Sequence, residues 1–190
     1  MQMERCAWCG TDELYVKYHD EEWGVPVHDD KKHFEFLVLE SAQAGLSWLT
    51  ILRKRENYRA AYDDFDAALV SNYDDDKYNE LLNNKGIVRN RLKIRASINN
   101  AKYFVKIQEE FGSFDRYIWK FSDNSPVVNS WTSMSQIPAT SELSDRVSAD
   151  LKARGFKFLG PTIVYAHLQA TGLINDHVAG CFRHDNIKQV

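Results

Sequence analysis

Long apolar runs are missing from this chain: no segment approaches the roughly 18–20 consecutive apolar residues that a membrane-spanning helix needs. The opening stretch, Met1-Gln2-Met3-Glu4-Arg5-Cys6, lacks the apolar character of an export signal, so a cytoplasmic protein without a membrane partner is expected. Cysteine is scarce as well. There are three, an odd number, which argues against a disulfide framework and leaves buried thiols, metal ligands or reactive groups as their uses. An excess of positive charge is also lacking. The formal net charge is −3, so the average announces no nucleic-acid partner and only the distribution of charge can reveal one. Low-complexity tracts, long linkers and internal repeats are absent. What the chain has in quantity is core material, 44% hydrophobic and 13% aromatic residues in 190. That suffices for one domain, 1–190, with room for two helical lobes.

Gly, Pro and Asx residues punctuate a series of helices. Asp29-Asp30 caps a first clear helix from Lys31 to about Ala44, with Gly45 as its stop. Ser47 caps a second, from Trp48 to about Tyr62; a short one follows Asp66, and another runs from about Asp75 to Lys85 before Gly86. Arg91 to Phe111 reads as a long helix, with Ile94, Ile98, Ala101 and Val105 at spacings of three and four, closed by Gly112. Ser113 to Phe121 is expected as a short helix and Ser122 to Ile137 as irregular. Ser144 is the expected cap of a helix ending near Arg154, and Pro161 opens a last helix to about Thr171. No alternating strand pair is evident. The expected class is all-α.

Metal-ligand chemistry gathers at the two ends. His177-Val178-Ala179-Gly180-Cys181 puts an imidazole and a thiol four positions apart, which on a helix share a face. With Cys6 and His19 they make a Cys₂His₂ set suited to tetrahedral zinc, although the spacing is not that of a zinc finger. Spacing alone equally allows a satisfied core histidine and a buried thiol. Cys9 is a rival ligand, because Cys6-Ala7-Trp8-Cys9 is a CxxC; a redox use of that pair would expect a βαβ context that is missing. Four protein ligands would leave no open position, so such a metal would be structural.

The most informative stretch runs from Phe34 to Trp48. Glu40 lies four after Phe36, three after Leu37 and four before Ala44, within an apolar stripe. A carboxylate there must be hydrogen-bonded, paired or functional, since unpaired burial is costly. Pairing with an arginine is the structural alternative to a functional role. Trp8, Tyr15, Tyr18, Trp23 and Trp48 cluster in the same part of the sequence, either as core or as a slot in which a flat cationic base would gain stacking and cation–π attraction.

A basic run breaks the acidic average. Between Leu81 and Lys102 stand Lys85, Arg89, Arg91, Lys93, Arg95 and Lys102 with no acidic residue, either a solvated helix face or a phosphate-contacting one. Further on, Arg154-Gly155-Phe156-Lys157-Phe158-Leu159-Gly160 reads as a tight turn between two helices, whose exposed amides suit phosphate; a generic helical hairpin would look the same.

Taken together, these blocks resemble the bacterial 3-methyladenine DNA glycosylase I family, within the helix-hairpin-helix glycosylase superfamily. The match is close to full-length. It rests on Met3 to Trp8, Tyr18 to Pro26, Leu39-Glu40 with Gln43 to Trp48, Lys54 to Arg59, Gly86 to Arg91, Arg154 to Gly160 and Asn175 to Val178, in the family's order. The resemblance implies a helix-hairpin-helix bundle in which one structural zinc per chain, held by Cys6, His19, His177 and Cys181, joins the N- and C-terminal segments. It implies that Tyr18 and Glu40 contact a flipped base, Glu40 being the catalytic residue, with Trp8 and Trp48 stacking around it. Gly45 and Leu46, in the turn between helices, and Arg154, Gly155, Lys157 and Gly160 of the hairpin are implied to face DNA, Leu46 as a side chain that enters the duplex gap. The partner would be double-stranded DNA carrying alkylated bases, the product free 3-methyladenine, and no obligate protein partner is evident. The helix from Pro161 to Thr171 lacks the catalytic aspartate of many superfamily members, and no lysine suggests itself as a Schiff-base nucleophile, so a monofunctional hydrolase is expected. Two rivals remain: a zinc-stabilised nucleic-acid-binding module without chemistry, and a glycosylase for another modified base.

Overall fold

The computed structural model describes residues 4–186, so Met1-Gln2-Met3 and positions 187–190 lie outside it. Ten α-helices order the described chain: α1 (Glu13–Glu21), α2 (Asp30–Gln43), α3 (Trp48–Ala61), α4 (Ala67–Ser71), α5 (Asp75–Asn83), α6 (Arg91–Phe111), α7 (Phe114–Trp119), α8 (Glu142–Arg154), α9 (Pro161–Ala170) and α10 (Phe182–Asn186). None of them is long and apolar enough to cross a membrane.

Local capping explains most of the boundaries. The side chains of Asp29, Ser47, Asp74 and Ser113 each accept a backbone N–H in the first turn that follows, satisfying donors that have no partner within the helix. At α8 the cap is Ser141 rather than Ser144. Ser141 accepts from the Ser144 amide while the Ser144 hydroxyl accepts from the Ser141 amide, a reciprocal box that starts the helix three residues earlier than the sequence suggests. The helix α1 is absent from the sequence reading. Asp12 caps it through the Leu14 and Tyr15 amides, but only Tyr18 and His19 of its nine residues are buried, so no full apolar stripe advertises it.

The main core forms around α6, whose Ile94, Ile98, Ala101, Phe104 and Ile107 pack against Phe34, Leu37 and Val38 of α2. A second, smaller cluster joins Cys6, Tyr18, Trp23, Phe36, Leu52, Ala170 and Cys181. Because α2 is buried from His33 to Ala42, it belongs to both, with Phe36 turned towards the second. The segment expected to be irregular is anchored by a two-residue parallel bridge, β1 (Val127–Val128) against β2 (Ile174–Asn175). The bridge is too short for an alternating pattern to reveal it.

Candidate active site and metal centre

The two chain ends meet in a buried tetrad. The donor atoms of Cys6, His19, His177 and Cys181 all lie within 4.8 Å of one another, and all four residues are buried. His177 and Cys181 reach each other across a turn, Cys181 N–H donating to Val178 C=O, and not along a helix as their spacing suggested; the helix α10 begins only at Phe182. Each imidazole is aimed from behind. Asp20 holds His19 Nδ1 at 2.7 Å, and His177 Nε2 donates to the Trp23 carbonyl at 2.9 Å, which leaves His19 Nε2 and His177 Nδ1 towards the sulfurs. Asp20 is fixed in turn by Arg5 at 2.7–3.0 Å. A hydrogen bond from Cys6, helped by His177 and His19, holds the Cys181 thiol well below its ordinary value. Cys9 stands outside the tetrad: its Sγ donates to the Cys6 carbonyl. The four donors could hold a metal ion.

Beside the tetrad opens a cavity of about 380 Å³, lined by Trp8, Tyr18, Trp23, Glu40, Trp48 and residues of α9. The imidazoles of the tetrad position its aromatic walls, since Trp8 packs edge-on against His19 at 5.3 Å and Trp23 against His177 at 4.6 Å. Tyr18 and Trp48 lie 5.5 Å apart, and Phe36 stacks behind Trp48 at 17° between planes. The indole nitrogens of Trp8 and Trp48 are buried without hydrogen-bond partners among the described residues. Buried donors of this kind cost free energy unless a ligand satisfies them.

Glu40 is 4% exposed and has no hydrogen bond or ion pair among the described residues. Burial alone pushes its carboxyl up to about 8. The arginine expected as its structural partner goes instead to Glu35, five residues earlier on α2, which Arg55, Arg59 and Lys32 surround at 2.8–3.0 Å. Tyr18, next to this unpaired carboxyl, has its phenol raised by burial and then by the Glu40 charge.

The turn between α2 and α3 sits between two lining residues, Gln43 and Trp48. Gly45 takes φ 83°, a conformation that favours glycine, and Leu46 stands 40% exposed. The Leu46 backbone is pinned to Gln43 in both directions, and Lys93 Nζ donates to the Ala42 and Ala44 carbonyls at the end of α2. One member of the basic run is therefore a helix cap, and Arg95 pairs with Asp75 over the Tyr78 ring. Lys85, Arg89, Arg91 and Lys102 are exposed without ion pairs among the described residues.

The hairpin from α8 to α9 is shaped by its glycine. At Gly155, φ 105°, an added Cβ would come within 2.4 Å of the Tyr103 ring. Asn99 donates to the Gly155 carbonyl, and Asn100 exchanges two hydrogen bonds of 2.8 Å with the Lys157 backbone. Gly160 provides no side-chain cap for α9, leaving its first amides available. Lys157 is exposed. Arg154, also expected to face DNA, has its guanidinium held by Asp150 at 2.7 Å and Glu110 at 2.6 Å, over the rings of Phe111 and Tyr117. Its task in this structure is to brace α8 against α6 and α7.

Known proteins share this fold. The family model for methyladenine glycosylases matches residues 8–184. The chain belongs to this family. Within it, DNA-3-methyladenine glycosylase 1 of Escherichia coli (strain K12) is 48% identical over 179 residues, covering 94% of this chain and 96% of the relative. DNA-3-methyladenine glycosylase of Haemophilus influenzae (strain ATCC 51907 / DSM 11121 / KW20 / Rd) is 40% identical over 177 residues, covering 93% and 96%. A crystal structure of a 3-methyladenine DNA glycosylase I superposes with TM-score 0.92 at 46% identity, covering 95% of this chain and all of the other. The Staphylococcus aureus enzyme, solved to explain its recognition of 3-methyladenine, also gives 0.92, at 37% identity and 96% and 97% coverage.

Several residues of this methyladenine glycosylase escaped the sequence reading. Asn99 and Asn100 lie inside the basic run, where charge drew attention away from the two amides that hold the hairpin. Asp176 stands in the Asn175-to-Val178 block but carries no spacing signal; its four donors come from Asn129, Trp131, Tyr165 and Gln169.

Proposed function

We propose that this protein removes 3-methyladenine from alkylated double-stranded DNA by hydrolysing the N-glycosidic bond, as a single glycosylase domain without strand cleavage. The observation that carries this is Glu40, a buried carboxyl with no partner among the described residues, in an aromatic cavity where the indole donors of Trp8 and Trp48 likewise have none. Alkylation at N3 gives the adenine a positive charge, which weakens its bond to the sugar. Little acid catalysis is then required. The protein must extrude the nucleotide, discriminate the base and steady an oxocarbenium-like sugar while water attacks.

Each residue has a task in that scheme. Trp8 and Trp48 flank the flipped ring, and Tyr18 and Glu40 meet its edge. A cationic base favours the ionised form of Glu40, so arrival of the damaged base converts an unfavourable buried acid into an ion pair. An uncharged adenine offers no such gain. Leu46 fills the gap left in the duplex, with Gly45 allowing the turn that presents it. Gly155, Lys157 and Gly160 lie along the phosphate backbone; Arg154 supports them from behind.

The tetrad fits zinc. Bonds of about 2.3 Å to sulfur and about 2.0 Å to nitrogen in a tetrahedron give S···N edges of about 3.5 Å. Three of the four S···N edges here are 3.6, 3.4 and 3.5 Å. Such an ion would supply no chemistry to the substrate; its four protein ligands close the shell and tie the chain ends beneath Trp8 and Trp23.

Release of free base from methylated duplex DNA tests the proposal. Wild type should liberate 3-methyladenine, and Glu40→Gln should lose most of that activity. A wild-type protein that binds DNA with salt dependence alone and yields no product would be a binding module. Competition by other modified bases separates the remaining rival.

A further inference from the structure

Asp176 is fully buried, and four hydrogen-bond donors converge on its carboxylate. Asn129 Nδ2 and Trp131 Nε1 reach Oδ1, each at 2.7 Å. The Tyr165 hydroxyl and Gln169 Nε2 reach Oδ2. Two amide nitrogens and an indole can only donate, and the Tyr165 hydroxyl donates to the same oxygen as Gln169, so all four groups turn a proton to the carboxylate. For Asn129 and Trp131 this has a structural meaning: it fastens the segment after β1 to β2. Tyr165 and Gln169 are different, because they line the base cavity from one face of α9, with Thr162 and Ala166. With the phenol proton and one amide proton committed, the wall offers a ligand the lone pairs of the phenol oxygen and of Gln169 Oε1, and a single remaining Gln169 N–H.

We propose that Asp176 is a positioning residue for substrate choice: by taking the proton of Tyr165 it makes that phenol oxygen an obligate acceptor in the α9 wall, selecting bases with an exocyclic amine over those with an exocyclic carbonyl. This rests on the glycosylase reading and adds to it. Glu40, on the opposite helix, discriminates by charge, whereas the α9 wall discriminates by hydrogen-bond polarity. A carbonyl oxygen brought to the Tyr165 oxygen would face an acceptor and lose its water without recompense.

The isosteric change Asp176→Asn inverts the wall for a definite reason. The Trp131 indole is a donor only, so the new amide must keep its oxygen there and direct its NH₂ to Tyr165 and Gln169. Both can respond, the phenol by rotating its proton and the amide by flipping, and each then shows a proton to the cavity.

The experiment measures binding of free 3-methyladenine and free 3-methylhypoxanthine, which differ in the amine and carbonyl, together with zinc content and base release from methylated DNA. Wild type should prefer 3-methyladenine by at least about tenfold, the effect of one mismatched buried hydrogen bond. Asp176→Asn should shrink or reverse that preference at unchanged metal content. Equal weakening for both bases, or a wild type indifferent to them, overturns the inference. Should Asp176→Asn lose its metal or fail to fold, Tyr165→Phe decides: it should cut the preference several-fold, and an unaltered preference overturns the inference. A wild type that releases 3-methyladenine while Asp176→Asn keeps full selectivity sinks this inference alone. A wild type that neither releases nor binds 3-methyladenine sinks the glycosylase reading and this with it.

Discussion

Glu35 and Glu40 lie five residues apart on the same helix, at 2% and 4% exposure, and face opposite electrostatic worlds. Glu35 is ringed by Arg55, Arg59 and Lys32; Glu40 has no charged partner. Burial pushes both carboxyls up, but at Glu35 the Arg55 hydrogen bond and charge outweigh it and leave that group below its ordinary value. Glu40, without compensation, rises to about 8. One acid supports the fold, and the other strains it.

Glu40→Gln should therefore stabilise the protein. A carboxyl whose folded value is raised contributes stability that is present below its unfolded value and lost as pH rises through the folded one. That window runs from about 4.5 to about 8 here. The variant escapes the loss, so its advantage should grow across the window and level off above it, at on the order of 3 kcal/mol after allowing for the buried amide. Urea melts at pH 5 and pH 8.5 check this; a variant less stable than wild type at pH 8.5 counts against an uncompensated carboxyl.

Glu35→Gln should do the reverse. A lowered folded value means stability present above the unfolded value and lost as pH falls through the folded one, so the cost belongs to neutral and alkaline pH. Removing one partner leaves Arg55, itself largely buried, undercompensated, and the expected loss at pH 7 is about 3 kcal/mol. The gap between variant and wild type should close on acidification below about pH 4. Equal melting temperatures at pH 7 would contradict the network.

Metal content is the third test. Purified protein should carry about one zinc per chain, and Cys181→Ser should lose it. A link between Cys6 and Cys181 closes nearly the whole chain, for which loop-closure entropy suggests stabilisation on the order of 5 kcal/mol. Thermal melts with and without a chelator measure it. A metal-free wild type with an unmoved midpoint would dismiss the centre.

The hairpin cations should separate cleanly. Lys157→Ala is expected to weaken DNA binding with little change in stability and to reduce the log–log salt slope by about 1. Arg154→Ala should cost about 1–2 kcal/mol of stability, from two ion pairs and its packing over Phe111 and Tyr117. Binding titrations at several salt concentrations and denaturant melts distinguish them; the opposite pattern would exchange their roles.

Sequence alone determined the things that depend on neighbours along the chain: the helices announced by Asp29, Ser47, Asp66 and Ser113, the apolar stripe that makes Glu40 conspicuous, the Cys and His residues able to share a metal, and the order of blocks that marks the family. These follow from hydrogen-bond capping and side-chain chemistry, which act over a few residues. Tertiary structure decided which acid receives the arginine, Glu35 and not Glu40, and that His177 meets Cys181 across a turn. It alone set Arg154 against Glu110 and joined Asp176 to Tyr165 and Gln169. A charged or polar side chain is satisfied by whichever partner packing brings within about 3 Å, and that partner is chosen in space, across separations that no periodicity records.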